Sequence, residues 1–154
     1  MRRAITMAIA VALGASRLEA QTTSARRHTP PPASTGLSTL SGVYTDEQAS
    51  RGKDVYAGAC RSCHTPVSHT GATFSKWWRG KQLSDLFGFI STAMPKNDPG
   101  SLAPEDVADV TAYLLKMNAM PVGPAELPPD IDSLRKFRIE LKPTRPSPAK
   151  RKKP

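Results

Sequence analysis

The chain has 154 residues, room for one modest domain, and a net charge of +9. Residues 1–40 hold five Lys and Arg against one acid, residues 41–141 hold eleven against twelve, and residues 142–154 hold six against none. The middle of the chain is therefore nearly neutral. No aromatic residues alternate with the charges of the C-terminal segment, so it lacks the stacking element of a single-strand binder. We expect no nucleic-acid partner.

The first 20 residues have the layout of a secretory signal peptide. Two arginines precede an apolar run over residues 4–15, and small residues follow up to a possible cleavage after Ala20. The run is shorter than the roughly 20 apolar residues that a membrane span needs, and no later stretch is long and apolar enough. The sequence predicts a signal peptide over residues 1–20 and a soluble product that is periplasmic or otherwise exported.

Two polar segments flank the middle of the chain. Residues 21–41 form a Ser/Thr/Pro-rich linker, and residues 142–154 form the basic tail KPTRPSPAKRKKP. Proline and like-charge repulsion leave these segments little apolar surface to bury, so both are predicted to be disordered. The tail has two open interpretations, namely weak contact with a membrane surface or an acidic partner, and a solubilising end. The folded domain is predicted over residues 42–141.

Helical patterns, without strand signals, run through this domain. Thr45 and Gln48 form a capping pattern for a first helix, whose apolar face ends at the sequence CRSCH. A short second helix follows Gly80, and a last helix begins at Pro104 with two acids in its first turn. The apolar positions that define the helices are Ala49, Gly52, Tyr56, Ala59 and Cys60; Leu83, Leu86, Phe87 and Ile90; and Val107, Val110, Leu114 and Met117. We predict an all-α fold of three to four short helices, with a core thin enough to need a further group to pack around.

The only two cysteines, Cys60 and Cys63, are followed directly by His64. Two neighbouring thiols should not stay reduced in an oxidising compartment. A thioredoxin-like redox pair needs a βαβ context, and a zinc site needs four ligands, for which only His69 and the distant His28 are spare. Covalent haem fits the spacing, because two thiols add to the vinyl groups of one porphyrin edge and the adjacent imidazole reaches the iron. We predict one covalent haem c.

A haem iron has a second axial position, and Met94 is the predicted ligand for it. Met94 lies in the loop AMPKNDPGSL just before the last helix, where Pro95 restricts the backbone. The other methionines are assigned to the signal peptide or to packing near the end of the last helix: Met1, Met7, Met117 and Met120. The axial ligands are thus predicted to be His64 and Met94. The predicted haem walls are Phe74, Trp77, Trp78, Leu83, Phe87 and Leu114.

Residues 45–141 resemble a small single-haem c-type cytochrome with the cytochrome c fold. The resemblance rests on a Gly-x3-Tyr-x3-Cys spacing, on CRSCH, on the Met-Pro loop and on the last helix. In that family a glycine lets the first and last helices cross closely, and an aromatic residue of each packs at the crossing. The resemblance implies these roles for Gly52, Tyr56 and Tyr113. Ala103 departs from the family, which often has Ser or Thr as the cap of the last helix.

The run from the Met-Pro loop through DVTAYLLKMNAMPVGPAEL is similar to cytochromes associated with quinoprotein alcohol-type dehydrogenases. That resemblance implies an electron acceptor of a periplasmic dehydrogenase, with a dehydrogenase or a terminal oxidase, or both, as redox partners. With both axial positions filled, the iron can only cycle between Fe(II) and Fe(III), so we expect an electron carrier and not an enzyme. The alternatives are a haem enzyme or small-molecule sensor with an open sixth site, and a haem-free basic binding protein.

The two interpretations of the tail differ in how electron transfer responds to salt. A docking tail acts at low salt and is screened as the Debye length falls from about 10 Å at 0.1 M to about 3 Å at 1 M. We expect deletion of residues 142–154 to leave the rate unchanged at both ionic strengths, as for a solubilising end. Stopped-flow transfer to a redox partner measures this, and a slower rate at low salt alone would identify a docking tail.

Overall fold

The structure is a computed structural model that describes residues 37–142. The predicted signal peptide, most of the predicted linker and all but the first residue of the basic tail lie outside the described residues. The α-helices of the described part are α1 (Asp46–Val55), α2 (Gly71–Trp78), α3 (Leu83–Ala93), α4 (Pro104–Met117) and α5 (Ile131–Leu134). The all-α class is confirmed, with α2 and α5 in addition to the three helices located in the sequence. None of the helices within residues 37–142 combines the length and apolarity needed to cross a bilayer.

The first residues of the described part belong to the domain and not to the predicted linker. Two short strands, β1 (Leu37–Ser38) and β2 (Phe137–Arg138), pair in parallel, although the sequence carries no strand signal. Thr39 is fully buried, and its hydroxyl donates to the carbonyl of Glu140 at 3.1 Å and accepts from the Glu140 N–H at 3.0 Å. Residues 37–41 are therefore packed with the domain, because the returning C-terminal segment supplies hydrogen-bond partners for them.

The N-terminus of α1 has the predicted cap, but only half of a capping box. The Thr45 hydroxyl accepts a hydrogen bond from the Gln48 N–H at 3.1 Å. The buried Gln48 side chain does not reach back, because its amide pairs with the backbone of Leu127: it donates to the carbonyl at 3.0 Å and accepts from the N–H at 2.8 Å. Gln48 thus fixes the segment after α4 against α1, and its buried amide is satisfied.

Helix α4 begins as the sequence predicts. Pro104 occupies its first turn with Glu105 and Asp106, where carboxylates meet the positive end of the helix dipole. Ala103 is the N-cap of α4 and makes no side-chain hydrogen bond. The Ser or Thr that the family often has here would supply one, so its absence lowers the stability of the helix by about 1 kcal/mol.

Helices α1 and α4 cross in close contact. A Cβ atom added to Gly52 would lie 1.8 Å from the carbonyl oxygen of Asp109, so only glycine allows this approach. Beside the crossing, the rings of Tyr56 and Tyr113 pack with centroids 5.5 Å apart at 58°. The roles that the resemblance implies for these three residues are confirmed. The crossing aligns α1, and hence the CRSCH sequence that follows it, with α4.

Substitution of Gly52 tests this crossing. Gly52→Ala places a methyl group against the α4 backbone, and we expect the free energy of unfolding to fall by about 3 kcal/mol. Gly58→Ala is the matched control, because a Cβ there meets no atom within 4 Å, and its stability should stay equal or rise by up to about 1 kcal/mol. Denaturant unfolding followed by far-UV circular dichroism measures both. Equal stability of the two variants would contradict the close crossing.

Candidate functional site

One cleft brings the four predicted site residues together. Cys60, Cys63, His64 and Met94 all line it, and it encloses about 900 Å³ with its open mouth included. The remaining wall is mostly apolar and is formed by Tyr56, Ala59, His69, Phe74, Trp78, Leu86, Phe89, Ile90, Pro95, Lys96, Asn97, Val110 and Leu114. The fold thus places two thiols, an imidazole and a thioether around a single apolar space.

The CRSCH sequence forms a tight turn at the end of a π-helical segment, Tyr56–Cys60, that continues α1. The carbonyl of Cys60 accepts hydrogen bonds from the Cys63 N–H at 3.2 Å and the His64 N–H at 2.9 Å. Both thiols and the imidazole are consequently held on one short piece of backbone. The thiols differ in exposure: Cys63 is exposed, whereas Cys60 is half-buried and burial raises the pKa of its thiol.

The His64 side chain lies in a group of rings that the sequence did not predict. The His69 ring packs against it with centroids 4.6 Å apart at 57°, and Tyr56 meets His69 edge-on at 5.9 Å and 89°. Burial, and to a smaller extent the neighbouring His64, lower the pKa of His69. No sequence pattern predicted this contact of His69 with His64, which depends on how the turn Pro66–His69 folds back.

Met94 reaches the cleft from the C-terminal end of α3. Its N–H donates to the Ile90 carbonyl at 3.1 Å, and its carbonyl accepts from Gly100 at 3.4 Å, so the loop folds back on the helix end. Met120 lies in the core with 4% of its surface exposed, and its carbonyl accepts from the Tyr44 hydroxyl at 2.7 Å. The packing role predicted for Met120 agrees with this position, and Met94 is the methionine on the cleft wall.

The predicted wall residues divide into two groups. Phe74, Trp78 and Leu114 line the cleft. Trp77 is 59% exposed and points away from it, and Leu83 and Phe87 are buried in the core without reaching the cleft. The other apolar face of α3 takes their place, with Leu86, Phe89 and Ile90 on the wall. Helix α3 is apolar on two faces, so its periodicity could not indicate which face would meet the cleft.

Asn118 connects the end of α4 to the turn beside the cleft, and nothing in the sequence singled it out. Its amide nitrogen donates to the carbonyls of His69 at 2.9 Å and Leu114 at 2.8 Å. Its oxygen accepts from the Gly71 N–H at 3.1 Å, and Gly71 has a φ of +59°, which favours glycine. Every hydrogen-bonding atom of the Asn118 side chain is therefore used to hold the turn.

The mouth of the cleft combines exposed aromatic surface with positive charge. Phe89 lines the cleft and is 46% exposed, and its ring lies 5.7 Å from that of Trp78. The Lys81 ammonium lies 5.0 Å from the centroid of the Trp78 ring, and the exposed Lys96 also lines the cleft. A group bound in the cleft would meet solvent beside these side chains.

Residues 47–114 match the family model described as cytochrome C oxidase, cbb3-type, subunit III. The matched segment runs from the first turn of α1 to near the end of α4 and includes all four predicted site residues. Comparisons with curated proteins and with solved structures give no significant match. The family match supports a c-type cytochrome domain in this part of the chain, a class of protein that carries covalent haem c and transfers electrons to and from redox partner proteins. The helical architecture agrees with the cytochrome c-like fold predicted from the sequence.

Proposed function

We propose that the protein is an electron carrier that holds one haem c in the cleft. Cys60 and Cys63 attach the group covalently, and His64 and Met94 are the axial ligands of its iron. The observation that carries the proposal is the donor set of the cleft: two thiols from one turn, an imidazole and a thioether line one otherwise apolar space. This set fits haem c, because the two thiols can form the covalent bonds, the imidazole and the thioether can bind the iron, and the apolar wall suits a flat apolar group.

When bound, the group supplies a one-electron couple between Fe(II) and Fe(III). Ligation by His64 and Met94 favours a fairly high reduction potential. The apolar side chains of α3 and α4 on the wall exclude water, and solvent access is one of the properties that set such a potential. If His64 and Met94 both ligate the iron, small molecules would have no open coordination site.

The exposed part of the same wall makes the stability of the fold depend on the bound haem. Phe89 on the wall is 46% exposed and Trp78 and Met94 are only partly buried, whereas the wall side chains of Leu86, Ile90, Val110 and Leu114 are already buried. Apolar side chains that line an open cleft gain less from burial than core side chains, at about 25 cal/mol for each Å² left in water. A haem that covers Phe89, Trp78 and Met94 therefore contributes to the stability of the domain.

The place of this carrier is inferred from the sequence. The N-terminal pattern supports export to the periplasm. The narrower resemblance to cytochromes of quinoprotein dehydrogenases supports a role as the electron acceptor of a periplasmic dehydrogenase. The description of the matched family names an oxidase subunit, which supports a terminal oxidase as the partner that takes the electron onward.

Covalent attachment is tested by removing the thiols. We expect wild-type protein, co-expressed with a haem-attachment system, to carry the mass of one haem and no alkylatable cysteine. The double variant Cys60→Ala/Cys63→Ala should lack haem and lose cooperative unfolding, because its core is incomplete. Arg61→Ala, an exposed position in the same turn, is the control and should keep its haem. A cooperatively folded double variant, or a colourless wild type, would contradict the proposal.

Axial ligation is tested with a matched pair of substitutions. Met94→Leu and Met120→Leu both replace a thioether at nearly constant volume, but only the first should affect the iron. We expect Met94→Leu to abolish the weak far-red band of methionine-bound ferric haem, to allow cyanide to bind and to produce weak peroxidase activity. Met94→His should lower the reduction potential well below that of the parent, since imidazole is the stronger donor to ferric iron.

The same spectra separate the electron carrier from the alternative of a haem enzyme or sensor with an open sixth site. An open-site protein lacks the far-red band before any substitution and binds cyanide as readily as its Met94→Leu variant. Loss of the band in Met120→Leu and its retention in Met94→Leu would show that the axial assignment is wrong, while the covalent attachment at CRSCH would stand.

A further inference from the structure

We propose that His69 is a positioning residue for the iron ligand His64, and that Asn118 fixes His69 in that position. The His69 ring packs against the His64 ring and so limits how the ligand imidazole rotates about its side-chain bonds. This inference rests on the proposed function, because it concerns how an axial ligand is oriented. Its test must therefore separate loss of haem from loss of orientation.

Ring contacts on two sides define the position of His69. Its ring lies 4.6 Å from the His64 centroid on one side, and the Tyr56 ring meets it edge-on at 5.9 Å on another. Tyr56 is buried, and it packs in turn on Tyr113 at 5.5 Å. A chain of ring contacts therefore runs from the α1–α4 crossing through His69 to His64.

Hydrogen bonds from Asn118 hold the backbone on both sides of Thr70, next to His69. Asn118 donates to the His69 carbonyl at 2.9 Å and accepts from the Gly71 N–H at 3.1 Å, so one side chain holds both sides of Thr70. A third hydrogen bond, to the Leu114 carbonyl at 2.8 Å, anchors the Asn118 amide to α4. Asn118 is thus the link through which α4 holds the turn that carries His69.

This arrangement has the features of outer-shell support for a metal ligand. Outer-shell partners that accept the N–H of a ligating imidazole fix its orientation, and their loss typically costs 10- to 100-fold in metal affinity or activity. The His69 ring restricts the same rotation by packing and not by a hydrogen bond. Among the residues the structure describes, the only aromatic ring recorded in contact with that of His64 is His69. The orientation of an axial imidazole plane affects the electronic structure of a ferric haem, so it can be measured independently of stability.

The first experiment compares three variants of the haem-loaded protein by electron paramagnetic resonance of the oxidised state and by redox titration. His69→Ala removes the ring, His69→Phe keeps a planar ring without nitrogen atoms, and Val67→Ala truncates an exposed side chain in the same turn. We expect His69→Ala to shift the g-values or broaden the resonance signals of the ferric haem, and to change its reduction potential. His69→Phe should restore the wild-type g-values, and Val67→Ala should match wild type throughout.

The second experiment changes Asn118, which contacts His69 and can affect His64 only through it. Asn118→Ala should shift the g-values in the same direction as His69→Ala, although it does not touch His64. In the double variant Asn118→Ala/His69→Ala the shift should equal that of His69→Ala alone, because both substitutions act through one contact. If His69→Ala yields too little folded protein, the g-values of Asn118→Ala and His69→Phe are compared with those of the wild type instead.

The outcomes separate this inference from the proposed function. Full haem content with unchanged g-values in His69→Ala and Asn118→Ala, even with lowered thermal stability, would reduce His69 to a packing residue and overturn the inference. Additive shifts in the double variant would overturn the role of Asn118, and a His69→Phe spectrum like that of His69→Ala would overturn ring packing as the cause. Absence of covalent haem from the wild type would instead overturn the proposed function.

Discussion

The contact of α1 with α4 at Gly52 is the constraint on which the rest of the domain depends. The two backbones meet there more closely than any side chain would allow. Because α1 continues directly into the turn of Cys60, Cys63 and His64, the crossing sets where the donor atoms lie relative to α4. The far end of α4 is joined through Asn118 to the turn Pro66–His69, which follows the CRSCH sequence. The CRSCH turn therefore lies between two contacts with α4, namely the Gly52 crossing before it and the Asn118 hydrogen bonds after it.

Features that depend on a few neighbouring residues were predictable from the sequence. The Thr45 cap and the start of α4 at Pro104 follow local patterns, whereas the family resemblance implied the glycine at the crossing. The structure has all three. The CRSCH spacing predicted a shared site for the same reason, because a turn of five residues holds its donors together. Met94 needed one further step, since its place on the wall depends on the loop after α3.

Features that depend on distant parts of the chain were not predictable in this way. Helix α2 has only the pair Phe74 and Trp78 facing inward, which is too short a run to show a helical period. The strand pair forms because the C-terminal segment returns to Leu37, and two residues carry no strand pattern. Asparagine is common at helix ends, so Asn118 at the end of α4 gives no sign in the sequence of a further role. Only the folded structure shows that its amide donates a hydrogen bond to the His69 carbonyl.

The parallel pairing of β1 with β2 brings the first and last described parts of the domain side by side. Thr39 and Glu140 bond to each other through two hydrogen bonds, at positions 101 residues apart in the chain. A short peptide could join such neighbouring ends, and exposed loops elsewhere could supply new termini. Because the strands are parallel, the chain enters the pair at Leu37 and leaves it past Arg138, at the opposite end, so a linker for circular permutation has to run back along the two-residue strands.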